Sequence, residues 1–203
     1  MIIGIHGRMR TGKSELARLI KAHYEGDFSH VRIASFANRL RQECAEMMFP
    51  FKSREGARRV WDEYEDSHKE SMRPVLQAVG QAKRMLINTD YWVHALAEDN
   101  PDYGNHSTLL IIDDVRHENE ARWILKNGGV FIRLDASRET LIERGATEER
   151  LAHFSETAMN RITDTEREYA HRCLRINTSG LSVQGTFKGL RRFITELIMG
   201  VEE

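Results

Sequence analysis

Cysteine is scarce. Cys44 and Cys173 are the only two in 203 residues and stand far apart. They supply neither a metal-ligand cluster nor a disulfide framework, which fits a reducing compartment. An excess of one charge is also missing: Lys plus Arg number 30 and Asp plus Glu 31. No global field therefore draws the chain onto nucleic acid or an anionic membrane, and neither is expected as a partner. Long apolar runs are absent too, since the longest candidate, residues 109–112, is far short of the roughly 20 residues that span a bilayer. Met1-Ile2-Ile3-Gly4-Ile5 runs straight into a glycine-bearing loop, so no signal peptide is expected. There is no internal repeat, low-complexity tract or long linker. What remains is one cytoplasmic globular domain over 1–203, with ordinary proportions of 40% apolar and 30% charged residues.

The pattern that is present alternates. Residues 1–5 read as a buried strand, 7–12 as a loop, and 13–24 as a helix with Leu16, Leu19 and Ile20 at i, i+3, i+4. A strand over 31–34 and a helix over 38–48 follow. The mixed-charge stretch 51–71 reads as a mobile insertion. Helices are expected over 74–87, opened by Pro74, and over 90–97. Residues 108–112 form a continuous apolar run, as a central parallel strand should. A helix over 118–126, a strand over 130–134, a charged stretch over 137–167, a strand over 174–176 and a helix over 186–199 complete the chain. Strands alternating with helices imply an α/β three-layer fold, a central parallel sheet with helices on both faces.

Gly7-Arg8-Met9-Arg10-Thr11-Gly12-Lys13-Ser14 fits G-x-x-x-x-G-K-[ST]. Such a P-loop curls backbone N–H groups around phosphate oxygens, and the following helix adds the positive end of its dipole. Gly7, Arg10, Thr11, Gly12, Lys13 and Ser14 would thus cradle ATP. Lys13 would reach the β- and γ-phosphates, and Ser14 would ligate Mg²⁺. Chance would produce the four fixed positions in about one chain of this length in a hundred. Here the motif also has a buried strand before it and an amphipathic helix after it.

Asp113 and Asp114 end the most apolar strand, where ligands bind in open α/β sheets. Either could hold Mg²⁺, and Asp114 is taken as the metal-linked catalytic carboxylate. Its alternative role is an N-cap for the next helix. Arg116 and Glu120 are spaced to share one face of that helix, as a surface pair would also be.

The chain resembles the phage-type deoxynucleoside monophosphate kinases of the P-loop nucleoside monophosphate kinase fold. Four blocks carry the likeness: residues 7–14; Phe36-Ala37-Asn38-Arg39-Leu40-Arg41; Arg73-Pro74-Val75-Leu76-Gln77-Ala78-Val79-Gly80 with Tyr91-Trp92-Val93; and Asp114-Val115-Arg116-His117-Glu118-Asn119-Glu120 with His153-Phe154-Ser155-Glu156. The resemblance implies ATP and Mg²⁺ as cofactors. It implies a helical region over about 36–100 that binds the acceptor, with Arg41, Arg73, Gln77 and Trp92 in its pocket and Arg116 near the phosphates or the acceptor. Trp92 could stack on a base there, yet a tryptophan in an apolar helix is more often core. Glu120 joins the substrate-binding set as the closing acid of its block. Arg41 replaces a commoner lysine, which keeps the charge and changes the hydrogen-bonding geometry.

A lid over about 137–167 would hold Arg138, Arg144, Arg150 and Arg161 around Gly145, with Arg144 as the cation nearest the chemistry. Asn177 would lie near the adenine as the last strand ends, although turn chemistry also explains an asparagine there. His6, His117 and His153 form no evident metal cluster. The expected reaction is in-line transfer of the γ-phosphoryl of ATP to a deoxynucleoside monophosphate, in host cytoplasm if the chain is phage-encoded. A homodimer is compatible with the sequence and not required by it. The nearest rival is a P-loop kinase for another phosphorylated acceptor, phosphomevalonate-like or a coenzyme precursor. A GTPase-like switch is disfavoured by the lack of N-K-x-D and of D-x-x-G after residues 108–112. Near-zero net charge disfavours a nucleic-acid-stimulated ATPase.

Overall fold

The computed structural model describes residues 1–148, 151 and 162–199. It divides into two compact units, Met1–Ser35 with Pro101–Glu203, and Phe36–Asn100. The expected lid residues Arg150 and Arg161, with His153-Phe154-Ser155-Glu156, lie outside the described residues.

The first unit is built on a parallel sheet of five strands: β1 (Ile2–Gly7), β2 (His30–Ala34), β3 (Thr108–Val115), β4 (Val130–Asp135) and β5 (Cys173–Asn177). Their order across the sheet is β2-β3-β1-β4-β5. β1 and β4 are buried along almost their whole length, as the unbroken apolar runs require. One face is covered by α1 (Lys13–Tyr24) and the closing helix, α8 (Val183–Met199). There Leu16, Ile20, Leu190 and Ile194 pack on Ile3, Ile5, Ile111 and Ile132. The other face takes α5 (Glu118–Lys126), which approaches so closely that a Cβ on Gly4 would stand 2.5 Å from Ile124 Cδ1. Two short helices, α6 (Arg138–Glu143) and α7 (Thr163–Glu168), also belong to this unit among the described residues. The three-layer α/β architecture expected from the alternation is therefore the one observed. Among the described residues, no helix is long and apolar enough to cross a membrane.

The second unit is helical: α2 (Phe36–Met48), α3 (Arg54–Leu86) and α4 (Tyr91–Asp99). Here the sequence reading needs correction, because the charged stretch 51–71 is not a mobile insertion but the first half of α3. Ser53 caps it, its hydroxyl accepting from the Gly56 N–H. Ala57 and Trp61, fully buried, pack against Cys44 and Ala45 of α2 and Met72 of α3. Ala57, Val60 and Trp61 carry the i, i+3, i+4 spacing of a buried face, and the charges occupy the others. Pro74 does not open a helix; it lies within α3, less than two turns past a break at His68 (φ −128°, ψ 30°). His68 Nδ1 lies 3.2 Å from the Tyr64 carbonyl, and the two rings stack at 4.1 Å. A side chain on the i−4 carbonyl is a sufficient local cause for the break.

Candidate active site

The loop between β1 and α1 is shaped by close approaches and left-handed backbone. A Cβ on Gly7 would stand 2.6 Å from the Leu134 carbonyl oxygen and 2.7 Å from Thr11 Oγ1, so only glycine fits. Gly12 (φ 94°) turns the chain into α1. Arg10 (φ 62°) is the one non-glycine residue in the left-handed region among those described, a cost of roughly 1–3 kcal/mol that clusters at functional loops. Thr11 Oγ1 donates to the Arg8 carbonyl at 2.8 Å. Lys13 Nζ donates to the carbonyls of Gly7 and Arg8, each at 2.7 Å, which holds the ammonium over the mouth of the loop.

Behind the loop, His6 is buried with Nδ1 2.9 Å from the Val115 carbonyl, and its ring stacks on Phe131. That contact ties the strand entering the P-loop to the strand carrying the acids. Burial pushes the His6 pKa down to about 4, the nearby Arg133 and Lys13 adding to the shift, so the ring is neutral at pH 7.

The acids are arranged by a bulge. Gly4 pairs with Ile112 and His6 with Val115, so Asp113 and Asp114 together oppose one residue, Ile5. Such a bulge re-aims side chains next to a site. Asp113 hydrogen-bonds Ser14 and feels the Lys13 charge. Burial raises its pKa and the Asp114 carboxylate raises it further, against the pull of Ser14 and Lys13. Asp114 Oδ2 instead accepts from Ser35 Oγ at 2.6 Å, at the end of β2. Of the two acids offered for the metal, the structure sets Asp113 beside the P-loop serine and Asp114 beside Ser35. Simple strand alternation cannot reveal this, because the bulge interrupts it.

The remaining expected residues fall into three groups. Arg116 is exposed at the end of β3, and the helix begins only at Glu118, so the two side chains do not share a helical face as the spacing suggested. Glu120, 2% exposed, points its Oε2 at the backbone N–H groups of Arg116 (2.8 Å) and His117 (3.0 Å). That is a capping box, which shapes the turn presenting Arg116. Arg144 ends α6 with its guanidinium on backbone carbonyls, and Asn177 Oδ1 accepts from the Ser179 N–H in a turn after β5.

In the helical unit, Arg41 is half-buried on α2, and Arg73 and Gln77 stand one turn apart on α3, half-buried and exposed. Trp92 takes the core alternative. It is 2% exposed, its indole N–H donates to the Gly80 carbonyl at 3.0 Å, and Tyr91 lies edge-on to it. A ring so enclosed is a core side chain, and it presents no face for stacking on a base. Beside it, Tyr91 Oη donates to Glu43 Oε1 at 2.6 Å, and Lys83 Nζ lies 3.1 Å from Glu43 Oε2. No sequence motif marks that pairing.

A family model described as AAA domain matches residues 3–153. The chain belongs to the AAA domain family. No curated protein matches it. Among solved structures, this AAA-domain chain is similar to the thymidylate kinase from Candida albicans, with 12% identity, 96% of this chain and 90% of that chain covered, and a TM-score of 0.51. It also aligns with the shikimate kinase from Aquifex aeolicus, at 11% identity over 98% of this chain and 99% of that one, TM-score 0.49. Likeness at such identity is likeness of fold. This AAA domain has the sheet, helical layers and P-loop of the P-loop kinase fold.

Proposed function

We propose that this AAA-domain protein is a kinase that transfers the γ-phosphoryl group of ATP to the phosphate of a deoxynucleoside monophosphate. The observation that carries the donor half is the contact of Ser14 with Asp113 beside the ammonium of Lys13. A hydroxyl and a carboxylate converging at a P-loop are hard oxygen donors that fit Mg²⁺. Bound there, the ion would neutralise charge on the β- and γ-phosphates.

The chain's own groups supply the rest. Loop N–H groups and the α1 N-terminus bind the phosphates. Lys13 Nζ, already poised over the loop mouth, exchanges its carbonyl partners for phosphate oxygens and follows the charge that builds during transfer. The acceptor phosphate is ionised at pH 7, so no general base is needed. Arg41 and Arg73 of the helical unit are the cations assigned to it, since a guanidinium fork can hold two phosphate oxygens at once. Gln77, one turn from Arg73, is assigned to the acceptor's polar edge. The deoxynucleotide acceptor itself rests on the four sequence blocks, less Trp92.

An ADP-release assay with ATP, Mg²⁺ and each nucleoside and deoxynucleoside monophosphate tests this. Turnover should require a deoxynucleotide, vanish in Lys13→Ala, and show a KM for the acceptor raised roughly tenfold or more in Arg73→Ala. ADP release indifferent to any nucleotide offered would defeat the acceptor assignment and favour another phosphorylated small molecule.

A further inference from the structure

Arg144 was expected to be a lid cation that neutralises the transferring phosphoryl group. Its contacts describe a different task. Nη2 donates to the Thr178 carbonyl at 2.7 Å and to the Leu181 carbonyl at 3.2 Å. Nη1 donates to Thr178 Oγ1 at 3.1 Å and reaches the Arg10 carbonyl at 3.4 Å. One planar guanidinium thus joins the P-loop, at its strained residue, to the turn that follows β5. Thr178 is itself buried, and both its N–H (2.7 Å) and its hydroxyl (3.1 Å) donate to the Asp135 carbonyl at the end of β4. The carboxyl ends of β1, β4 and β5 therefore meet at Arg144. Arginine suits this because its five donors are fixed in one plane, and four acceptors here lie within its reach.

The side of the P-loop on which this happens is informative. With strand order β2-β3-β1-β4-β5, Asp113 marks the β3 side of the loop as the metal and reacting-phosphate end. The turn after β5 flanks the opposite side, where a Cβ on Gly12 would lie 3.6 Å from Val183 Cγ2. A nucleotide with its terminal phosphates towards Asp113 has its nucleoside towards the β4 and β5 loops.

We infer that Arg144 is a positioning residue for the nucleoside end of the donor, bracing the Arg10 backbone against the 178–181 turn so that both form one preformed edge for ribose and base. This rests on the donor-site reading above and not on the acceptor. A residue that braces this edge governs affinity for the nucleotide, whereas a charge-neutralising arginine governs kcat.

The test compares full-length wild type, Arg144→Ala and Arg144→Lys. Binding of ATP and of inorganic tripolyphosphate, each with Mg²⁺, is measured by calorimetry, and kcat and KM for ATP by turnover at saturating acceptor. Arg144→Ala should weaken ATP binding and raise its KM roughly tenfold, with kcat and tripolyphosphate affinity within about threefold of wild type. Arg144→Lys should recover part of the ATP affinity, because a single ammonium reaches the Thr178 carbonyl but cannot span to Arg10. A loss of kcat of about a hundredfold with ATP affinity intact would overturn the inference and restore the charge-neutralising role. Equal losses for ATP and tripolyphosphate would overturn it too, by showing an effect on the phosphate loop alone. The binding arm needs no acceptor, so a wrong acceptor leaves it standing. ATP affinity indifferent to Lys13→Ala would remove the donor-site reading on which it rests.

Discussion

At the scale of single residues, two adjacent aspartates separate by environment. Asp113 is half-buried, bonded to Ser14 and beside another carboxylate, and its raised pKa means that the folded protein resists its charge. Asp113→Asn should therefore cut kcat by roughly a hundredfold or more and yet raise the melting temperature without nucleotide by about 2–4 °C. Asp114→Asn should act more mildly on turnover, because its partner is Ser35. His6 gives a pH signature. Its folded pKa, about 4, lies below the ordinary histidine value of 6.5, so the unfolded chain binds the extra proton between those values. Stability is full above pH 6.5 and falls as pH drops towards 4, by about 2 kcal/mol between pH 7 and pH 5. Denaturant melts of wild type and His6→Gln should show that slope in the first and its loss in the second. None of this is legible in the sequence alone: Asp-Asp and a lone histidine look the same whether or not a bulge and a buried carbonyl await them.

At the scale of elements, what was legible depended on whether the apolar pattern outvoted the charges. β1, α1, α5 and β4 follow their runs almost residue for residue, because buried strands and one-sided helices leave their periodicity in the chain. The first half of α3 hid behind Arg54, Glu55, Arg58, Arg59, Asp62 and Glu63, whose exposed faces were read as the whole segment. Its buried face is Ala57 and Trp61. Trp61→Ala should cost about 3–5 kcal/mol of stability, measured by thermal or denaturant unfolding. A cost near zero would return the segment to the mobile insertion first expected. β3 ran three residues past its apolar stretch, to Val115, because the bulge carries the strand through both acids.

For the whole molecule, the alternation of strands and helices was enough to specify the architecture, and the ungapped P-loop is the motif on which the proposed donor site rests. The proposed acceptor site was less legible, because Arg41, Arg73 and Gln77 belong to the helical unit and are singled out by block likeness alone. Glu120 and Trp92 show the limit of block likeness, since one shapes a turn and the other fills a core. Phosphoryl transfer is tested by following the phosphoryl group itself. ATP labelled at the γ-phosphate is incubated with the protein, Mg²⁺ and each deoxynucleoside monophosphate, and the labelled products are separated. Label should appear in the β-phosphate of a deoxynucleoside diphosphate, dependent on Lys13 and Asp113. Label recovered only as inorganic phosphate, whatever acceptor is present, would contradict it.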